Sequence, residues 1–254
     1  MKMFRNMPLG TLNENTGLRE KLRLASVGEF EGIDIDIEEV AALSEKYSAA
    51  YVTGMMDSFN LKAGAWLLPF TIDADEEVFS EGIKKLERYA RIAKAVDAPR
   101  VLAAVSSPDK TKAAVCKERL ASIAKLLGKH GCAVGLDCPG GCSWELKETG
   151  IVLNARRWYL SGGSLQELKK VEWDRVMYVT LGDVGADRNG RFLPGETGIV
   201  DLPGFLNVLA GAGYDGPVAP ELPDRNLLTL PEEMATRLLG GSLLRVWNKA
   251  FSKT

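Results

Sequence analysis

Histidine is almost missing from this chain: one residue, His130, in 254. Imidazole supplies most catalytic zinc ligands, many proton shuttles and the base of hydrolase triads, so mechanisms that need two histidines are excluded. A surplus of positive charge is also lacking. Thirty-two Lys and Arg against 34 Asp and Glu leave a net charge of −2, with no block of like charge. A polyanion finds no basic surface from which to displace counterions, and nucleic-acid binding is not expected. No run approaches the ~18 apolar residues of a membrane span, and the opening MKMFRNMPLG has no apolar h-region of a secretory signal. The expectation is a cytoplasmic protein without membrane contact, with Cys116, Cys132, Cys138 and Cys142 reduced.

What is present is a globular composition, 46% hydrophobic and 26% charged, ordered as alternating helix-like and strand-like stretches. Strands are expected at KMFRNM (2–7), EGIDIDI (31–37), AAYVTG (49–54), RVLAAV (100–105), CAVGLD (132–137), GIVLN (150–154), VMYVTLGD (176–183) and GPVAPE (216–221). Helical periodicity fills the intervals, near 18–30, 38–47, 76–96, 112–129, 165–169, 203–211 and 231–251. Divided by eight, 254 residues leave about 32 per unit, close to the ~30 of a strand, crossover helix and two turns. The strands are short and mostly apolar, as strands covered on both faces are. The fold class read from this is α/β, a single (β/α)8 TIM barrel domain over 1–254. A doubly wound open sheet is the competitor, but the first βα turn, PLGTLNENTG, lacks G-x-G-x-x-G spacing.

In such a barrel the chemistry sits where strands end. Polar strand-ending residues are Asp137, Asn154, Thr180 with Asp183, and Glu221. Just beyond lie Arg156, Arg157, Trp158 and Tyr159, then Cys138 and Cys142, and Arg225; Trp66 falls in an aperiodic segment that could cover the mouth. Carboxylates, guanidinium groups and aromatic faces around an apolar barrel suit a small polyhydroxylated ligand. Two further features have a plainer reading. Cys138 and Cys142 could hold a soft metal or form a redox pair, but a Gly/Pro turn with incidental thiols explains GCAVGLDCPGGC equally. GRFLPGETGIVD (190–201), with Arg188 just before it and Arg191 near its start, could cradle a phosphate, yet it carries its own acids, Glu196 and Asp201, and reads first as a shaped loop. His130 reads as a helix C-terminal residue favoured by the dipole.

The run RFLPGETGIVDLPGFLNVLAGAGYDGPVAPEL (191–222) resembles the closing section of the xylose isomerase-like barrels, the sugar phosphate isomerase/epimerase superfamily. LREKLRLASVGEFEGIDID (18–36) is similar to its opening unit and IVLNARRWYLSGG (151–163) to its sixth strand and turn. The resemblance implies a divalent metal such as Mn, Mg, Co or Zn, held by Glu, Asp, His and Glu, that polarises sugar oxygens while carboxylates move a proton. Carried over residue by residue, the fifth-strand Glu is Asp137, the Asp and His of D-x-x-H are Asn154 and Arg157, the His of H-x-x-D is Thr180 with Asp183 kept, and the eighth-strand Glu is Glu221. Two of the four ligands remain carboxylates, so no metal and no other cofactor is expected. Arg157 could supply a fixed positive charge that pairs with Asp137 or Glu221 or faces a substrate oxyanion, while the plainer reading has it neutralise leftover carboxylates or point to solvent.

The resulting expectation is an isomerase or epimerase of sugars or polyols, or a related lyase, acting without metal by proton abstraction beside a carbonyl. Glu221, Asp137, Arg157 and Asp183 are the catalytic candidates; Asn154, Thr180, Trp66, Trp158, Arg156 and Arg225 are the substrate-binding ones. The alternative is a catalytically degenerate barrel that binds a sugar-like ligand or serves as a partner subunit; self-association stays open. Abasic-site endonuclease chemistry, which needs a histidine-rich zinc cluster, is disfavoured.

Overall fold

The computed structural model describes residues 3–105, 113–137, 147–224 and 226–252, and the side chain of Asp137 is outside the description. Among the described residues nine parallel segments form one sheet: β1 (Phe4–Met7), β2 (Gly32–Ile33), β3 (Lys62–Ala63), β4 (Trp66–Leu67), β5 (Arg100–Ala104), β6 (Ala133–Asp137), β7 (Gly150–Asn154), β8 (Val176–Leu181) and β9 (Pro217–Pro220). Their order is β3-β2-β1-β9-β8-β7-β6-β5-β4. The two ends of that order, β3 and β4, are halves of one barrel strand joined through Gly64 and Ala65, so the sheet closes on itself. Hydrogen bonds carry the ladder across the joint, Gly64 N to Ile33 O at 2.8 Å, Ile35 N to Ala65 O at 2.9 Å and Leu68 N to Leu102 O at 2.9 Å. This is the TIM barrel expected, with β6 to β9 as its fifth to eighth strands.

The expected strand AAYVTG is the one error of element type. Residues 49–54 open helix α3 (Ala49–Ser58), because Ser48 Oγ accepts the Tyr51 amide at 3.1 Å and caps it. The buried residues Val52 and Met56 are spaced i, i+4, a helical interval. The barrel strand lies after that helix, in the segment that looked aperiodic. The other helices fall where expected: α1 (Leu18–Val27), α2 (Ile37–Lys46), α4 (Glu76–Ala95), α5 (Ala113–Gly128), α7 (Leu165–Leu168), α8 (Leu202–Gly211) and α9 (Glu232–Phe251), with a short α6 (Ala155–Leu160) added after β7. Among the described residues no helix is long and apolar enough to cross a membrane.

Strand alternation divides the core in two. Val179 and Leu181 of β8 join the main core between sheet and helices, together with Ile33, Ile35, Val101 and Val134. Tyr178 and Met177 face inward and form a smaller cluster with Ala65, Leu102 and Ala219 inside the barrel. Both point inward because the β7–β8 register shifts between Ile151 and Val152, leaving Met177 as an extra residue. Above this layer, on the same face of their strands, come Thr180, Asn154 and Glu221.

Candidate functional site

Thr180 pairs in register with Asn154 on one side and with Ala219 on the other, so the ends of β7, β8 and β9 meet at one level. Glu221 follows β9, tied to β8 by its amide on Leu181 O at 2.7 Å. Its carboxylate is buried, with only 9% exposure. It is held side-on by Arg156: Nε donates to Oε2 at 2.7 Å and Nη2 to Oε1 at 2.9 Å. The pair is bidentate, the strongest geometry open to these groups, and the hydrogen bonds raise the Arg156 guanidinium above its ordinary pKa. Nη1 takes no partner among the described residues.

The guanidinium that holds Glu221 is that of Arg156. Helix phase sets which of the two neighbouring arginines meets this carboxylate. Asn154 is the N-cap of α6, its Oδ1 accepting the Arg157 amide at 2.8 Å, and consecutive helical residues project about 100° apart, so one arginine alone can face Glu221. Asn154 itself is spent as a cap, with its oxygen turned to the helix.

Asp183, a catalytic candidate from the sequence, has both carboxylate oxygens engaged by backbone amides. It is fully buried, and four amides converge on it: Val184 and Val200 on Oδ1 at 3.0 and 3.1 Å, Thr197 and Gly198 on Oδ2 at 3.1 and 2.8 Å. Its role is to shape the loop into α8. Trp66 is also corrected. It is fully buried in β4, its indole Nε1 donating to Ala98 O at 3.1 Å, below β5 and away from the mouth. Trp158 packs back on its own turn, Nε1 to Ser164 O at 3.2 Å, where only a glycine fits at 163. Thr180 does stand at the strand ends, and its Oγ1 is buried with no hydrogen-bond partner among the described residues. Arg225, Cys138, Cys142 and the Asp137 side chain lie outside the described residues; the Asp137 backbone ends β6, opposite Ala104 of β5.

Residues 22–240 match the family model described as xylose isomerase-like TIM barrel. The chain belongs to this family. Similar solved structures include a xylose isomerase domain protein from Alicyclobacillus acidocaldarius, at 23% identity and TM-score 0.80 over 98% of this chain and 99% of that one. A 3-keto-D-glucoside 4-epimerase from E. coli follows at 17% identity and 0.72, covering 98% and 99%. The probable 3-DHS dehydratase involved in petrobactin synthesis from Bacillus anthracis gives 14% and 0.71, covering 96% and 99%. At these identities the likeness concerns the fold. No curated protein matches the chain.

The metal that this family implies does not fit the residues described. A divalent cation needs free anionic oxygens. Here both oxygens of Glu221 carry Arg156, the oxygen of Asn154 carries an amide, and Thr180 stands where the family has an imidazole. Among the described residues no three His, Cys, Asp or Glu gather closely enough to hold an ion.

The sequence reading missed a polar cluster inside the barrel. Asp34, just past β2, is buried and accepts from Asn6 Nδ2 at 2.7 Å, from Ala65 N at 2.8 Å and, on its other oxygen, from the Tyr178 hydroxyl at 2.6 Å. Burial pushes its carboxyl up to about 6, against the lowering effect of these hydrogen bonds. Burial and the neighbouring acid hold the Tyr178 phenol well above its ordinary pKa. A Cβ on Gly64 would lie 2.2 Å from Asn6 Oδ1 and 2.5 Å from Asp34 Oδ1, so the barrel wall is glycine where it passes the cluster. The signal was an acid at an alternating position of EGIDIDI, on the face opposite Ile33 and Ile35.

A groove of about 580 Å³ between α7 and α8, lined by Leu165, Lys169, Trp173 and Val208 among others, is an outer-surface feature. It gathers no carboxylate and no guanidinium, so the strand ends remain the candidate site.

Proposed function

We propose that this chain is an isomerase or epimerase of sugars or polyols that moves a proton beside a carbonyl without a divalent metal. The observation that carries the reading is the buried, bidentate Arg156–Glu221 pair at the strand ends of a xylose isomerase-like barrel. In this reading the Glu221 carboxylate takes the proton from the carbon next to the carbonyl. The C–H electron pair becomes the C=C bond of an enediolate, and the carbonyl oxygen takes up the negative charge. Arg156, fixed by Nε and Nη2, presents Nη1 to that oxygen, supplying in a preorganised form the positive charge that a metal supplies elsewhere. Return of the proton to the neighbouring carbon, with the adjacent hydroxyl proton passing to the former carbonyl oxygen, gives isomerisation, and return to the opposite face of the same carbon gives epimerisation. Asp137, at the end of β6 and three strands from Glu221 around the barrel, is the second acid/base candidate, and the Thr180 hydroxyl is a hydrogen-bond donor for the ligand. Loss of a leaving group from the same enediolate would give elimination, the reaction type named for the dehydratase relative.

The second reading, a barrel that binds a sugar-like ligand without turning it over or serves as a partner subunit, draws on the same pair, since both Glu221 oxygens are already engaged. Solvent-deuterium exchange separates the two. The chain, treated with EDTA, is incubated in D2O with a panel of ketoses, aldoses and keto-acids, and label on carbon is read by NMR. Exchange that survives EDTA and is lost in Glu221→Gln supports the enzyme. Absence of exchange across the panel, or exchange that EDTA abolishes, overturns metal-free catalysis.

A further inference from the structure

Phosphate esters in (β/α)8 barrels sit in the loops after the seventh and eighth strands, on backbone amides and cations. In this chain the seventh-strand loop runs from β8 to α8 and has the backbone for such a cradle, with Gly195 and Gly198 both at φ +70°. Its amides are already committed. Those of Thr197, Gly198 and Val200, joined by Val184, point at the Asp183 carboxylate at 2.8–3.1 Å. The bridge between Asp183 and Phe192 pins the loop over that carboxylate.

Among the described residues, three nearby cations are engaged as well. Arg191 donates from its backbone and from Nε to Asp224, both at 2.7 Å. Arg188 lies over the Tyr159 ring, 5.3 Å from its centroid. Arg156 holds Glu221. A phosphate dianion entering here would displace a carboxylate from four amides or break a buried bidentate pair, and either leaves an anion without its partners. A neutral hydroxyl-bearing ligand meets neither penalty.

We propose that Asp183 fills, as an internal anion, the amide cradle in which a phosphate would sit, and that the barrel mouth takes neutral, unphosphorylated polyhydroxylated ligands. The exclusion of phosphate stands on the loop's own hydrogen bonds. The polyhydroxylated class rests on the reading of the mouth given under Proposed function.

The test uses the full chain and three probes: inorganic phosphate, D-fructose and D-fructose 6-phosphate. Calorimetry and 31P NMR are expected to show no specific binding of phosphate to the native protein. Asp183→Gly, which empties the amide cradle, is expected to tighten phosphate binding by about tenfold or more. Equal phosphate binding in native and variant proteins would overturn the internal-anion assignment. Should Asp183→Gly fail to fold, the native protein alone decides through thermal shift with the two sugars. Stabilisation by fructose and not by its phosphate supports the proposal; stabilisation by the phosphate ester above that by the free sugar overturns it. A native protein that ignores all three probes supports the exclusion of phosphate and counts against the polyol reading of the mouth, so the two failures are told apart.

Discussion

A Cβ placed on Gly182 would lie 2.3 Å from Oε2 of Glu221 and 2.9 Å from its Cβ, so the residue after β8 is glycine where the Glu221 carboxylate crosses it. Gly182→Ala is expected to force the carboxylate off Arg156. Overpacking of this kind costs about 1–3 kcal/mol, which in a domain of this size lowers Tm by roughly 2–4 °C per kcal/mol. Deuterium exchange into a turned-over sugar should fall with it. A variant that keeps both its Tm and its exchange would show that the contact does not constrain Glu221.

The Arg156–Glu221 pair itself can be measured by a double-mutant cycle. Side-chain exposure is 15% for Arg156 and 9% for Glu221, so removing either partner strands a buried charge. Arg156→Gln and Glu221→Gln are each expected to cost about 3–5 kcal/mol, and the double variant less than their sum. Arg156→Lys keeps the charge and loses the side-on geometry, so it should resemble Arg156→Gln more closely than native protein. Additive losses in urea unfolding would refute a coupled pair.

Much of this arrangement is legible in the residues. Strands β6 to β9 are mostly apolar runs with a polar residue at or next to their ends, and that pattern placed Asn154, Thr180 and Glu221 at one end of the barrel. The third strand was not legible, because its two-residue halves flank Gly64–Ala65 while the β-branched and aromatic look of AAYVTG is overridden by the Ser48 cap. The pairing of Arg156 with Glu221 was not legible because the phase of α6 is set by Asn154, a residue whose mismatch to the family metal ligand drew notice instead of its capping role. Asp34 was hidden for another reason. An acid alternating with isoleucines reads as a solvent-facing residue, and in a closed barrel that second face is the interior.

Asn154 supports a separable prediction. As N-cap its oxygen satisfies the Arg157 amide, and Asn154→Ala is expected to cost about 1 kcal/mol. Asn154→Asp restores the family's anionic residue while keeping a capping oxygen, so stability should stay within about 0.5 kcal/mol of native. It should not generate tight binding of Mn or Mg, because Glu221 remains with Arg156. Elemental analysis after dialysis checks this, and one tightly held ion per chain would contradict the account of the strand ends.

Asp34 gives the pH dependence. Its carboxyl rises from an ordinary 3.8 to about 6 in the folded protein, so folding favours the protonated form. The stability that this group contributes is fully present below about pH 4 and is lost as pH rises through about 6. The full span is worth about 3 kcal/mol. Other carboxylates act in the opposite sense, including Asp224, held low by Arg191, and Glu232, held low by Thr16, so raw Tm against pH mixes several groups. The difference between native protein and Asp34→Asn isolates the one. An amide keeps an oxygen for the Ala65 and Asn6 donors and presents N–H to the Tyr178 hydroxyl, which turns to accept it. Near pH 4 the two proteins should unfold at nearly the same temperature, and by pH 7.5 the variant should be several degrees more stable. A constant difference across that range would mean that the interior carboxyl does not titrate there.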